Sequence, residues 1–290
     1  MNFNKRNRLV LAILALLVFL NIITWLIAYD LNKENLLKIV FFDVGEGDSI
    51  FIETPFNQQI LIDGGPGSRV LEKLAEEMPF YDNSLDLVVL THPDYDHLSG
   101  LIDVLKRYDV YNILWTGVLK EGAEFNKWIE VLEKENANEE IAFSKKRIIL
   151  SENPFIFMDI LYPFDNLKGL KTDDANDTSV VLRLSFSNVS ILFPGDISKK
   201  AEKEIVNSAK PLDSDILKAA HHGSSASSSL EFLREVSPST AVISVGKDNK
   251  YNHPSSEVLA RFKDFGIEVL RTDEMGDIKI ITNGRDYKIY

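Results

Sequence analysis

His92-Pro93-Asp94-Tyr95-Asp96-His97 follows directly on the apolar stretch 85–90 and decides how the rest of the chain is read. Four of its six residues are good ligands for a divalent cation, placed at i, i+2, i+4 and i+5 on a loop that leaves a strand. A turn that compact can present two ligands to one side and two to the other. This is what a pair of divalent ions requires if they are to activate a water and stabilise in-line displacement at a phosphoryl or carbonyl centre. The plainer alternative is a solvated Asp/His turn, and it weakens with each further ligand found at a strand end. Asp196 ends the strand 191–193 in Leu192-Phe193-Pro194-Gly195-Asp196, where a carboxylate could bridge two ions, although Gly-Asp after a strand is also a common turn. His221-His222-Gly223-Ser224 follows a second strand, 216–220. Neighbouring histidines point in different directions, so at most one of these two is expected to be a ligand. All five histidines fall in three loops, at 92 and 97, at 221 and 222, and at 253.

The 290 residues are 45% hydrophobic and 26% charged, which provides for a substantial core and excludes a disordered chain, a collagen-like repeat and a disulfide miniprotein. Cysteine is absent, so disulfides, thiol catalysis and cysteine-ligated zinc are excluded, and any metal is held by His and carboxylate. The pattern predicts strands at 38–43, 49–54 and 59–63 in an antiparallel meander, then strands at 85–90, 110–115, 146–162, 179–194, 216–220, 241–245, 268–272 and 278–282. Helices are predicted at 69–77, 100–108, 125–136, 199–206, 230–235 and 255–265. The chemistry-bearing residues stand at the C-terminal ends of apolar strands, the loop mouths where α/β folds bind ligands. Two strand-and-helix stretches, 38–120 and 150–290, suggest two similar halves packed face to face.

An ordered series of motifs carries a family resemblance over most of residues 38–290. It comprises Asp43-Val44-Gly45-Glu46-Gly47-Asp48, Leu61-Ile62-Asp63-Gly64-Gly65, the hexapeptide 92–97, Asn176-Asp177-Thr178-Ser179, Phe193-Pro194-Gly195-Asp196, His221-His222-Gly223-Ser224 and Tyr251-Asn252-His253-Pro254. The chain resembles the metallo-β-lactamase fold, and within it the extracellular hydrolase domain of the ComEC competence proteins. The resemblance implies an α/β fold, an αββα four-layer sandwich with the site in a groove at one edge of the two sheets. It implies His92 and Asp94 as ligands of a first metal, Asp96 and His97 of a second, Asp196 as the bridging carboxylate and His222 as a further ligand of the second ion. Asp63 would orient the metal loop, or stand as an ordinary turn acid. Asp96 would also orient the attacking water or take its proton. His253 would stabilise phosphate charge or protonate the leaving group, or else cap the helix after Pro254, and His221 would support the site. Asp94 stands where the family pattern has a second histidine, and no histidine lies between 97 and 221, where Asn176 or Asp177 occupies the interval. Oxygen in place of imidazole makes manganese a rival to zinc, with one or two divalent ions bound.

Residues 9–28 form a run of twenty without a charge, preceded by the short basic segment 1–8 with Lys5, Arg6 and Arg8. That length spans a bilayer. Leu26 poorly suits the position three before a signal-peptidase cut, so an uncleaved transmembrane anchor is expected over a cleaved signal, with Trp25 and Tyr29 at the far interface. A linker over 29–37 then leads to the hydrolase domain at 38–290. The tight basic cluster puts the N-terminus in the cytoplasm and the domain outside it. Setting aside the first thirty residues leaves 29 basic against 43 acidic side chains, a net −14, which speaks against tight binding of long nucleic acid through phosphate neutralisation. The expected protein is a membrane-anchored, metal-dependent phosphodiesterase or nuclease outside the cytoplasm, with DNA as the first substrate. The alternatives are a teichoic-acid-type phosphodiesterase and a non-catalytic or one-metal surface binding module of the same fold.

Overall fold

The computed structural model describes residues 5–31 and 35–290, and within the first helix it describes side chains at 11 and 13–25. The chain divides after Asn35 into a helical unit and a large α/β unit. The helical unit holds α1 (Lys5–Leu31), 27 residues long, whose described apolar side chains from Leu11 to Trp25 are exposed apart from the half-buried Ile23. Among the described residues no helix is long and apolar enough to cross a membrane. The expected transmembrane segment 9–28 is therefore found as helix but is not supported as a span, and the side chains at 9, 10, 12 and 26–28 lie outside the described residues.

The second unit opens with β1 (Leu37–Phe41), β2 (Ile50–Glu53) and β3 (Gln59–Ile62), the expected antiparallel meander. There follow α2 (Arg69–Glu77), β4 (Ser84–Leu85), β5 (Leu87–Val89), α3 (Tyr95–Leu105), β6 (Asp109–Val110), β7 (Asn112–Trp115), α4 (Ala123–Lys134) and β8 (Asn138–Ile141). The chain then enters β9 (Arg147–Glu152), β10 (Phe155–Tyr162), β11 (Val181–Phe186), β12 (Val189–Phe193), α5 (Lys199–Asn207), β13 (Ile216–Lys218), α6 (Leu230–Val236) and β14 (Thr240–Ile243). It closes with α7 (Ser256–Asp264), β15 (Glu268–Arg271), α8 (Thr272–Met275), β16 (Ile278–Thr282) and β17 (Tyr287–Ile289).

Two large mixed sheets result, in the orders β17-β16-β1-β2-β3-β5-β7-β8 and β15-β14-β13-β12-β11-β10-β9. In each, one half is antiparallel and the other parallel. The two-fold side-chain period sorts the core into layers. Ile39, Phe41, Ile50, Ile52, Ile60 and Ile62 join Phe193, Ile191 and Ile216 between the sheets. Their neighbours Val40, Phe51, Leu61 and Val88 face out under α2, α3 and α4. Leu192, Leu217 and Ala241 face out under α5, α6 and α7. This is the αββα sandwich. The split into halves at 38–120 and 150–290 needs one correction, because β16 leaves the second stretch and pairs with β1. The apolar alternation of Ile278, Ile280 and Thr282 suits either sheet, and only the free edge of β1 decides which one it joins.

The predicted helix at 100–108 begins earlier, so α3 takes Asp96 and His97 into its first turn and Asp94 becomes its N-cap. Leu98, Leu101, Ile102 and Leu105 bury a continuous stripe from that turn onward, which extends the helix back into the ligand segment. α3 also lies backbone to backbone on the loop after β3, with Gly64 N donating to His97 O (2.8 Å) and Gly100 N to Gly65 O (2.9 Å). A Cβ on Gly100 would stand 2.0 Å from Gly64 O. Gly100→Ala is therefore expected to destabilise the domain by about 3 kcal/mol, the upper end of overpacking, and to lower the thermal midpoint by roughly 10 °C. Circular dichroism melting checks this, and an unchanged midpoint would contradict so close an approach of the two backbones.

Candidate metal centre

The centre is assembled from the ends of β1, β3, β5, β12, β13 and β14, and each of its buried histidines is held by a partner on Nδ1. Asp63, just past β3, is fully buried and accepts from Thr91 N (2.8 Å), Thr91 Oγ1 (2.6 Å) and His97 Nδ1 (2.8 Å). Since Thr91 spends its proton on Asp63, its oxygen is left to accept from His92 Nδ1 at 3.1 Å. His222 Nδ1 donates to Ser244 O at 2.9 Å. With Nδ1 committed in all three rings, Nε2 is the atom each ring can present to a metal, the arrangement in which a metal-binding histidine is normally held. The three Nε2 atoms are buried and have no hydrogen-bond partner. An unpartnered buried polar atom is costly, and three of them at one place are what a bound cation would satisfy.

Asp196 supplies the opposing charge. Its Oδ2 lies 3.4 Å from His97 Nε2 and 3.3 Å from His222 Nε2, and Asp96 Oδ2 lies 3.3 Å from His222 Nε2. His92, His97 and Asp196 form one group able to hold an ion, Asp96, His97 and His222 a second, and Asp48, Asp196 and His222 a third. Imidazole nitrogens facing carboxylate oxygens are a donor set that fits a divalent cation.

Other expected residues are placed differently. Asp94 is not brought to His92 as a ligand partner: its Oδ1 is 2.5 Å from Lys120 Nζ, and among the described residues it joins no metal-holding group. The N-cap position of α3 aims this carboxylate along the rim, toward the lysine. Asp177 is occupied elsewhere, accepting from Ser198 N (2.8 Å) and Ser198 Oγ (3.0 Å) at the start of α5. Asn176, His221 and His253 line the cavity above the centre. His253 does not cap α7, since Ser255 accepts from Val258 N at 3.2 Å and does so instead.

Two buried residues went unassigned from the sequence. Asp48, after the β1–β2 turn, forms an ion pair with Lys218 at the end of β13, and Lys218 Nζ also reaches Asp196 Oδ1 (3.4 Å) and Gly195 O (3.3 Å). A signal for Lys218 existed, as it is the one charge in the apolar run Ile216-Leu217-Lys218-Ala219-Ala220. Asp48 closes the motif 43–48 but pointed to no partner that sequence spacing could reveal.

Burial, reinforced by the charge on His97, pushes the His92 imidazole down to about 3. Burial also pulls on His97 and His222, but Asp196, with Asp63 beside the first and Asp48 beside the second, outweighs it and holds both well above the ordinary histidine value. Burial raises Asp96 and Asp196, yet the same histidines hold both below the usual carboxylate range. In the metal-free protein, two imidazolium rings thus stand in for cations. Their contribution to stability is complete below about 6.5 and is lost as pH rises through their raised values. That of Asp96 and Asp196 is present above about 3.9 and is lost as pH falls toward their depressed values. Metal uptake near pH 7 is accordingly expected to release about two protons. Calorimetry in two buffers of different ionisation enthalpy measures this, and release of none would contradict the protonation of His97 and His222.

Fold and centre together define a class. Residues 42–247 match the model of the metallo-beta-lactamase superfamily, and the chain belongs to it. More particularly, it is similar to the ComEC-like competence proteins. It is 31% identical over 260 residues to ComE operon protein 3 of Bacillus subtilis (strain 168), covering 83% of this chain and 32% of that protein. It is 30% identical over 248 residues to Competence protein ComA of Neisseria gonorrhoeae, covering 85% and 32%. The chain thus spans about a third of the length of these relatives. Its fold is similar to that of the metallo-beta-lactamase fold protein YhfI from Bacillus subtilis, at 15% identity and TM-score 0.53, covering 82% of this chain and 96% of that one.

Proposed function

We propose that this chain is a membrane-anchored, metal-dependent phosphodiesterase acting outside the cytoplasm, with DNA as its first candidate substrate. The observation that carries the reading is a cluster of three buried, unpartnered imidazole Nε2 atoms, of which those of His97 and His222 lie 3.4 and 3.3 Å from Asp196 and His92 shares a candidate metal group with it. His92, His97, His222, Asp96 and Asp196 would hold one or two divalent ions, zinc or manganese. Such an ion, when bound, supplies Lewis-acid activation of water and neutralises charge at the phosphoryl group. Asp96, a third of its side chain exposed at the rim, orients that water and accepts its proton. Burial and the neighbouring His222 and His221 lower His253, so at neutral pH it serves as an uncharged hydrogen-bond donor to a phosphate oxygen or the leaving group. The uncharged run 9–28 in the sequence is what speaks for the anchor, and the competence-protein relatives favour nucleic acid over a teichoic-acid-type diester.

A one-ion centre, catalytic or purely binding, is favoured by a single observation, the pairing of Asp94 with Lys120 where a first-site ligand was expected. The full chain in detergent, supplied with Mn2+ or Zn2+, is expected to hydrolyse bis-p-nitrophenyl phosphate and to lose that activity on chelation. Folded, metal-loaded protein without turnover would overturn the phosphodiesterase reading.

A further inference from the structure

We infer that Tyr251 is a stacking platform for a nucleobase of the substrate at the mouth of the metal centre, an inference that rests on the phosphodiesterase reading and narrows its substrate class. Above the centre lies a cavity of about 180 Å³. Asp196 and His222 form its buried end, and His221, His253 and Tyr251 line its outer part. The three outer rings form a graded stack. His221 meets His253 edge to face at 5.8 Å and 68°. His253 and Tyr251 then lie nearly parallel, 19° apart with centroids 5.9 Å distant, within the range of offset stacking. Tyr251 ends the stack and is 61% exposed.

An exposed aromatic ring adds nothing to the core, yet this one is held firmly. Asn249 Oδ1 accepts from Tyr251 N (3.2 Å) and from His253 N (2.9 Å). Asn249 Nδ2 donates to His253 O (2.7 Å) and Gly246 O (3.1 Å). The loop is then tied to the segment that carries His222, because Ser255 N donates to Gly223 O at 2.9 Å. The backbone that carries Tyr251 is therefore set relative to the centre, and the contact with His253 aligns its ring, so a planar group meets it with little further ordering of the loop.

Charge points the same way. The unit carries an excess of acidic side chains, so phosphate neutralisation contributes little affinity. Stacking is indifferent to that charge and to base identity, and it supplies affinity for a base-bearing diester that a glycerol or choline diester does not receive.

The test is equilibrium binding of a phosphorothioate dinucleotide to the full chain in detergent with Mn2+, beside an analogue lacking one base, for the wild type, Tyr251→Ala and Tyr251→Phe. Tyr251→Ala is expected to weaken dinucleotide binding roughly tenfold, Tyr251→Phe to restore it, and the abasic analogue to bind both variants as it binds the wild type. The inference is overturned if the wild type does not prefer the dinucleotide, if Tyr251→Ala binds it unchanged, or if both ligands weaken equally. Dinucleotide binding with the expected Tyr251 dependence but without hydrolysis of any diester would leave this inference standing and remove the phosphodiesterase reading alone.

Discussion

Asp196→Ala is expected to abolish turnover and to strip the centre of metal. Among the described residues Asp196 is the one carboxylate within 3.4 Å of both His97 Nε2 and His222 Nε2, so its Oδ2 is the negative charge that a cation between those rings would meet. Its other oxygen faces Lys218 Nζ at 3.4 Å, which keeps the carboxylate from swinging away from the histidines. Without it, His97 Nε2 loses its 3.4 Å carboxylate neighbour, His222 Nε2 keeps only Asp96 Oδ2 at 3.3 Å, and a divalent ion loses its central counter-charge. Loss even of the groups that merely orient metal ligands costs about 10- to 100-fold in affinity. Loss of this carboxylate is expected to cost about a hundredfold or more, with hydrolysis of bis-p-nitrophenyl phosphate falling by at least about a thousandfold. Asp196→Asn keeps the shape and removes the charge, and is expected to fail nearly as badly. Metal content by mass spectrometry, measured beside activity, decides the matter. Wild-type metal occupancy in folded Asp196→Ala would show that the ions are held elsewhere.

Lys218→Met is expected to give the largest loss of stability. Lys218 and Asp48 are each no more than 2% exposed and form an ion pair, so solvent screens the interaction little. Burial pulls the ammonium down, but Asp48 and Asp196 outweigh it and hold Lys218 above its ordinary value. That contribution is complete below about 10.4 and is lost only as pH rises through the raised value, so it is present throughout the neutral range. Methionine fills the space but leaves Asp48 without its ammonium partner in the core, facing only His222 Nδ1 at 3.5 Å and His97 Nδ1 at 3.8 Å. Removing one member of a buried pair costs about 3–5 kcal/mol, which in a domain of this size lowers the thermal midpoint by roughly 10 °C. Asp48→Asn in the Lys218→Met background is expected to recover part of that loss, because the orphaned charge is gone. Thermal melts of the metal-free proteins measure both. An unchanged midpoint for Lys218→Met would mean that Asp48 finds another partner or takes up a proton.

The layers of the fold were readable because alternation in strands and the i, i+3, i+4 stripe in helices are local properties. Ile39, Phe41 and Ile50 announce an inner face, and Val70 with Leu74 a helix stripe, without reference to anything distant. The candidate ligand segment stood out for a related reason: four donors within six residues are unusual for a loop. Its helical start was harder to see, since the same residues serve two patterns. Asp94 reads equally as a ligand and as an N-cap, and Leu98 as a neighbour of the site and as the first residue of the α3 stripe.

By itself the sequence determined the strand and helix runs, the restriction of any metal ligand to nitrogen and oxygen donors and the loops in which those donors fall, because each depends on residue type and short spacing; the sandwich followed from the family resemblance of its motifs. Only the tertiary structure showed which candidate donors come together. It turned Asp94 toward Lys120, committed Asp177 to Ser198, brought Asp48 and Lys218 together beneath Asp196, and set Tyr251 at the end of a ring stack over the centre. The first three of these pairings join residues from 21 to 170 positions apart. No short-range pattern encodes such a pairing; it follows from which strand ends the two sheets place side by side, and burial then makes each choice costly to reverse.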